Sequence, residues 1–275
     1  MKKIVVIVLL ATISSAANAG FPIGRGKSLL VPSYNLYTAK GYWDKDGAYF
    51  DYQNNGRFAS HYFGVYGGIG IGDKLDLVGN INYTLQTKRE TNLLQSNASL
   101  GDAKVGLQYL LNSFDYYKFL TVTGSLIVPL YTNTAGKEPY TGFQQVGGEI
   151  KLSFASTNRE RLKNTYYDLS GGLRQYFSPE GPTQLFIDGL FGIPLNDKNK
   201  ITFSINGVNS TSSSTALFNP DNLNLNRAFS YFRIGAGFGS NISQHNQLFF
   251  NIFSDIFGKN TGKGSGGSIQ LVVKL

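Results

Sequence analysis

The chain has 275 residues, 25 basic and 17 acidic side chains for a net charge of +8, and no cysteine. Charged residues make up 15% and aromatic residues 14%, with 33 glycines, whereas soluble domains usually carry about 25% charged residues. That balance argues against an ordinary cytosolic enzyme. No run of like charges marks a nucleic-acid-binding tail, so no nucleic-acid partner is expected.

The first element is a leader. Met1-Lys2-Lys3 is a basic start, Ile4 to Ile13 is an apolar stretch broken only by Thr12, and Ala17-Asn18-Ala19 is a small-x-small cleavage signal before Gly20. Residues 1–19 are therefore expected to be a cleaved signal peptide. The apolar stretch is about half the roughly 20 residues that a spanning helix needs. No Cys follows the cleavage point, so no lipoprotein anchor is expected. Residues 20–27 offer two readings, a short lead outside the fold or a segment folded into it.

From there the chain is written in a two-residue period. In 75–88, Leu75, Leu77, Gly79, Ile81, Tyr83 and Leu85 oppose Asp76, Val78, Asn80, Asn82, Thr84, Gln86 and Lys88. In 118–131, Leu120, Val122, Gly124, Leu126, Val128 and Leu130 oppose Thr121, Thr123 and Ser125. The separation recurs in 143–155, in 165–177 and at the end of the chain, where Ile269, Leu271, Val273 and Leu275 oppose Ser268, Gln270 and Lys274. Helical spacing is not apparent.

A soluble sandwich alternates too, but its strands usually have about 5–6 residues. Segments of about 9–16 residues behind an export signal fit strands that cross a bilayer at a tilt. The pattern predicts an all-β fold, an antiparallel transmembrane β-barrel in 20–275. Twelve strands are expected at 28–42, 58–71, 75–89, 100–111, 118–131, 143–155, 165–177, 183–195, 200–208, 228–242, 247–257 and 267–275. With periplasmic termini, the outward loops are 43–57, 90–99, 132–142, 178–182, 209–227 and 258–266. The first, second, third, fifth and sixth of these are long; 178–182, Ser-Pro-Glu-Gly-Pro, reads as a tight hairpin. The short turns are 72–74, 112–117, 156–164, 196–199 and 243–246. Aromatics at segment ends, namely Tyr42, Trp43, Tyr116, Tyr117, Phe119, Tyr131, Tyr166, Tyr167, Tyr176 and Phe177, are expected at the bilayer interfaces.

Charges that share the wet parity are expected in the lumen, because Lys or Arg facing lipid at mid-depth costs about 2–4 kcal/mol. The lumen-lining candidates are Asp76, Asp102, Lys104, Glu149, Lys151, Asp168, Arg174, Asp188 and Arg233, with Lys88 and Lys274 near strand ends. They either select permeants or pair with one another and close a narrow interior. His61 and His245 lack the Ser and orienting partner that a barrel lipase needs, so they are expected in the lumen or in solvent, and no catalytic role is expected. Gly67 to Gly72 is followed by no helix, and Asp44-Lys45-Asp46-Gly47 reads as a turn rather than a calcium loop. No cofactor and no metal is expected.

The segment Ser99-Leu100-Gly101-Asp102-Ala103-Lys104-Val105-Gly106-Leu107-Gln108-Tyr109-Leu110-Leu111 resembles a strand of the outer-membrane family named for the meta-pathway of phenol degradation. That resemblance extends in plan over nearly the whole mature chain. It implies a transporter-like barrel for small, often apolar or aromatic, molecules. Leu275 departs from the aromatic residue that commonly ends such barrels. Taken together, these readings lead to an outer-membrane channel of a Gram-negative bacterium. Its partners would be outer-membrane lipid, a small-molecule permeant and the barrel-assembly machinery. The alternative is an anchor or adhesin acting through its long loops.

Overall fold

The computed structural model describes residues 20–115, 117–158, 165–213, 219, 222 and 226–275. The expected leader, Tyr116 and most of the loops 156–164 and 209–227 lie outside them. Fourteen strands follow one another in sequence. They are β1 (Ser28–Trp43), β2 (Tyr49–Asp51), β3 (Arg57–Gly70), β4 (Leu75–Glu90), β5 (Leu93–Leu100), β6 (Asp102–Phe114) and β7 (Lys118–Pro129). Then come β8 (Gly147–Asn158), β9 (Thr165–Tyr176), β10 (Thr183–Pro194), β11 (Asn199–Thr211), β12 (Phe229–Asn241), β13 (Asn246–Lys259) and β14 (Thr261–Lys274).

All pairings between strands are antiparallel, each wall strand lying against its sequence neighbour, and β14 returns to β1 from Leu29↔Lys274 to Trp43↔Thr261. β5 and β6 are one wall strand interrupted at Gly101, since both pair with β4. β2 is a short extension on the end of β1. The result is a closed barrel of twelve wall strands. Closure leaves no free edge, so the ladder itself satisfies the backbone N–H and C=O groups, which hydrocarbon would not. Among the described residues, no helix is long and apolar enough to cross a membrane.

Burial runs inside out relative to a water-soluble domain. In β4 the residues Asp76, Asn82, Thr84, Gln86 and Lys88 are buried, while Leu77, Ile81, Tyr83 and Leu85 are exposed. The same holds for Thr121 and Thr123 against Leu126 in β7, and for Ser268 and Gln270 against Ile269 in β14. Period 2 therefore separates a polar interior from an apolar belt. The only buried apolar cluster among the described residues is small: Val31, Phe249 and Val272, flanked by Leu29 and Tyr66.

Both β1's start and β14's end lie at one rim, here the near end, together with the turns 71–74, 115–117, 195–198 and 242–245. The far end carries the longer connections 44–56 and 130–146. Two expected loops prove to be largely strand, and the first residues of a third extend one. Residues 93–100 form β5 behind a tight turn at 91–92, and β11 continues through Thr211. The β13–β14 hairpin turns at Asn260, with φ of 50°, so 261–266 belongs to the wall. Its glycines pack rather than flex. A Cβ at Gly264 would run into the ring of Tyr37, and one at Gly266 into the backbone of Leu36 and the ring of Phe253. Conversely, 143–146 is not strand, because 130–146 turns inward as described below.

Candidate functional site

The barrel encloses a cavity of about 710 Å³. Eight of the nine candidate charges, Asp102, Lys104, Glu149, Lys151, Asp168, Arg174, Asp188 and Arg233, lie on its wall. The ninth, Asp76, is buried beneath the N-terminal segment. Alternation puts them there, the inward parity carrying the charge and the outward parity the apolar side chains, as at Lys151 between Ile150 and Leu152.

The wall has two chemically distinct sides. β6, β8, β9 and β10 supply seven of those charges, and Glu149 is their hub. Its Oε2 accepts from Lys104 Nζ at 2.7 Å and from Arg174 Nε at 2.8 Å and Nη2 at 2.7 Å. Arg174 Nη1 also donates to Gln184 Oε1 at 2.8 Å, and its guanidinium lies 5.4 Å from the Phe186 ring. Two cations thus share one carboxylate. Asp188 accepts from Asn206.

The opposite side, β1, β3, β12 and β13, is aromatic: Tyr37, Phe58, Tyr62, Tyr66, Phe229, Tyr231 and Phe253 line it. One ion pair breaks this surface, with Arg233 Nε donating to Asp255 Oδ1 at 2.7 Å. Tyr37 Oη donates to Asp255 Oδ2 at 3.1 Å, and the Gly264 amide to the same oxygen at 3.3 Å. The Arg233 guanidinium stands 4.3 Å from the Phe253 ring centre and 5.3 and 5.5 Å from those of Tyr37 and Tyr231. Cation–π contacts of this kind hold a guanidinium in place where water is scarce. Asp255 was missing from the sequence-derived set. In β13 both parities carry Phe, at 249, 250 and 253, which hides the two-residue period that would have turned Asp255 inward.

Connection 130–146 folds into the far mouth instead of standing off it. Asn97 Nδ2 donates to the Pro139 carbonyl at 2.9 Å, Asn133 Nδ2 to the Gly142 carbonyl at 2.7 Å, and the Tyr140 amide to Asn222 Oδ1 at 3.1 Å. Thr141, Gly142 and Phe143 reach the cavity wall, and Phe143 meets Tyr176 edge-on with ring centres 5.0 Å apart. Ser212 and Ser213 donate to the carbonyls of Glu180 and Pro179, lacing 212–213 to the tight turn 178–182.

The expected aromatic belt needs correction. Trp43, Tyr131 and Tyr176 are buried, Tyr176 on the cavity wall, whereas Phe177 is exposed outward. Lys263 Nζ lies 5.6 Å from the Trp43 ring, and Tyr131 Oη accepts the Gln144 amide at 2.9 Å. At the far-end turn, Asp44 Oδ1 accepts the amides of Asp46 and Ala48 at 2.9 and 2.8 Å, which makes it a turn cap.

No family model matches the chain, and no curated protein matches it. Solved structures do. An outer membrane channel from Pseudomonas putida F1 superposes with a TM-score of 0.70 at 12% identity, over 96% of this chain and 100% of that one. The translocator domain of autotransporter NalP from Neisseria meningitidis follows with 0.50 at 11%, over 91% and 88%. The chain therefore has the fold of the outer-membrane β-barrels. At these identities the likeness concerns the fold.

The expectation of a chain without catalytic function does not stand. His61 is in neither lumen nor bulk solvent. It shares the outward parity of β3 with Phe63, and its Nδ1 is hydrogen-bonded to Tyr34 Oη at 2.7 Å. The expected placement of His61 is thus corrected, and the enzymatic status of the chain is undetermined.

Proposed function

We propose that the protein is a passive outer-membrane channel for small aromatic molecules that carry a polar or charged substituent. The observation that carries this reading is the two-sided lumen. Rings of β1, β3, β12 and β13 face the cavity from one side, and Lys104, Lys151 and Arg174 with Asp102, Asp168 and Asp188 face it from the other. A planar solute is favoured against aromatic faces in offset or edge-on contact. Its polar group is then turned toward charges of both signs, which tune passage by sign and reach. This narrows the apolar-or-aromatic permeant implied by the resemblance to phenol-degradation barrels. Export behind a cleaved leader and insertion by the barrel-assembly machinery belong to the same proposal.

The anchor or adhesin reading gains no observation. Among the described residues, the far-end connections bond to their own barrel mouth through Pro139, Tyr140, Ser212 and Ser213.

The test is conductance of purified protein in a planar bilayer, titrated with benzoate and, separately, with acetate. A channel of the proposed kind gives ohmic steps that benzoate blocks transiently and acetate does not. Equal effects of the two anions, or inserted protein with no conductance and no vesicle uptake of benzoate, would refute it.

A further inference from the structure

Residues 20–27 enter the barrel and run along its inner wall at the near end. The base of this strap is backbone: Gly26 N donates to the Gly70 carbonyl and Gly70 N to the Lys27 carbonyl, both at 2.9 Å. Ile23 N donates to Asp76 Oδ2 at 3.0 Å, and the Ile23 side chain lies where a Cβ on Gly68 would be. Phe21 offers its carbonyl to Gln108 Nε2 at 3.3 Å and its ring edge-on to Phe119, with centres 5.8 Å apart. Gly20 ends the path against β8 and β9, where its nitrogen donates to Asp168 Oδ2 at 2.9 Å. The strap thus passes from β3 over β4, β6, β7 and β8 to β9.

Three features of its tip belong together. Asp168 is 6% exposed, and its second oxygen, Oδ1, has no hydrogen-bond partner. Among the described residues, no lysine or arginine forms an ion pair with it, whereas Glu149 on the neighbouring strand holds both Lys104 and Arg174. A buried carboxylate held by one neutral N–H is poorly compensated. Next to it, Ser153 Oγ also lacks a partner, and the Ser153 side chain packs on Gly20 so closely that a Cβ there would come within 2.6 Å. The tip accepts glycine alone, at the position immediately after the Ala17-Asn18-Ala19 cleavage signal.

We propose that Gly20 is the mature amino terminus and that its α-ammonium is the counter-ion of Asp168, fastening the strap across the near end of the pore. This rests on the export reading given above. Hydrolysis of the Ala19–Gly20 amide breaks the C–N bond. Water's hydroxyl goes to the Ala19 carbonyl carbon and its proton to the Gly20 nitrogen, which takes one more proton from solvent. The resulting ammonium has three donors where the peptide nitrogen had one. That number suits Asp168 Oδ2, Asp168 Oδ1 and Ser153 Oγ. Processing of the leader therefore supplies the charge that holds the strap to the wall and narrows the lumen's near end. A folded barrel becomes latched only after export.

The test uses the membrane-extracted protein with an amine-reactive acyl reagent at near-neutral pH, where an α-amine is the more reactive amine. Intact mass first reports the start. A chain that retains residues 1–19 refutes the export reading itself, and a start elsewhere than Gly20 overturns this proposal while leaving export intact. With Gly20 first, the α-amine is expected to label about tenfold more slowly than in Asp168→Asn, and that variant to show higher conductance. Gly20→Val, which leaves the wall untouched and drives its side chain into Ser153, is expected to behave like Asp168→Asn. It serves also if the latter fails to assemble. A chain with Met-Ala placed ahead of Gly20 retains the N–H and displaces the charge. If it conducts like the wild type, or if the wild-type amine labels as fast as in unfolded protein, the proposal falls.

Discussion

Neutralising Glu149 tests how the lumen handles charge. Its carboxylate is 9% exposed and holds Lys104 and Arg174, themselves 26% and 21% exposed, at 2.7 Å. Glu149→Gln preserves the size and one acceptor but raises the local charge of this trio from +1 to +2. An ion passing about 6 Å away in a medium of effective dielectric about 60 feels each unit charge as about 0.9 kcal/mol. That is about fivefold in the population of an ion at the constriction, in opposite directions for anions and cations, so the anion-to-cation permeability ratio should rise by up to about 20-fold. The assay is the zero-current potential of single channels under a salt gradient, read at low and high ionic strength. High salt should shrink the effect, since about 1 M salt screens charges beyond about 3 Å. A variant that inserts normally and keeps the wild-type permeability ratio at low salt would refute the reasoning, because permeant ions would then not pass this wall. Glu149→Ala is the poorer probe: removing one partner of a buried pair costs about 3–5 kcal/mol and confounds selectivity with assembly.

Three further outcomes follow from the same geometry. Leu152→Arg, at the middle of β8 on the outward face, should destabilise the barrel by about 2–4 kcal/mol in urea titrations in vesicles. A loss below about 0.5 kcal/mol would mean that Leu152 does not face lipid. Arg233→Met, which keeps the aliphatic stem among Tyr37, Tyr231 and Phe253, leaves the buried Asp255 carboxylate without its cation and should cost about 3–5 kcal/mol in the same titration. It should weaken benzoate block. Replacing 134–140 by a short glycine turn removes the bonds from Pro139 to Asn97 and from Tyr140 to Asn222 and should raise single-channel conductance while leaving the urea midpoint unchanged. Unaltered conductance would locate the narrowest point elsewhere.

How much of this was legible beforehand depends on the residue. β4 could be read residue by residue, because Asp, Asn, Thr, Gln and Lys alternate with Leu, Ile and Tyr, and a one-residue slip would turn every charge to lipid. β14 was half legible. Its last residues alternate, but 261–267 is Thr-Gly-Lys-Gly-Ser-Gly-Gly, a composition shared by flexible loops and by strands over which aromatic rings must lie. The rings that decide the matter, Tyr37 and Phe253, come from β1 and β13 and are distant in sequence. The inward turn of 130–146 was illegible for a similar reason, since its bonds run to Asn97 and Asn222. For the aromatic residues at strand ends, composition gave the ring and its amphipathic preference but not the parity, and Tyr176 took the inner side.

The two-sided wall explains why the charged residues are concentrated on neighbouring strands. If they were spread evenly, a solute would meet charge on every side and lose water at each step without a compensating surface. With charges gathered on β6, β8, β9 and β10, oppositely charged groups lie within reach of one another, as at Glu149. The facing wall can then be aromatic, because it has no desolvated charge to satisfy apart from the Arg233–Asp255 pair, which the rings themselves surround. On the function proposed above, an aromatic solute with one polar group meets a favourable surface on both walls, since its ring and its substituent point in opposite directions. An isotropic polar solute of the same size gains on one side only. Discrimination between benzoate and acetate should therefore depend on the rings as well as on the charges. Replacing Tyr231 and Phe253 together by leucine should erase the difference between the two anions while leaving the salt-gradient selectivity set at Glu149 in place. Loss of both properties together would show that the walls do not act separately.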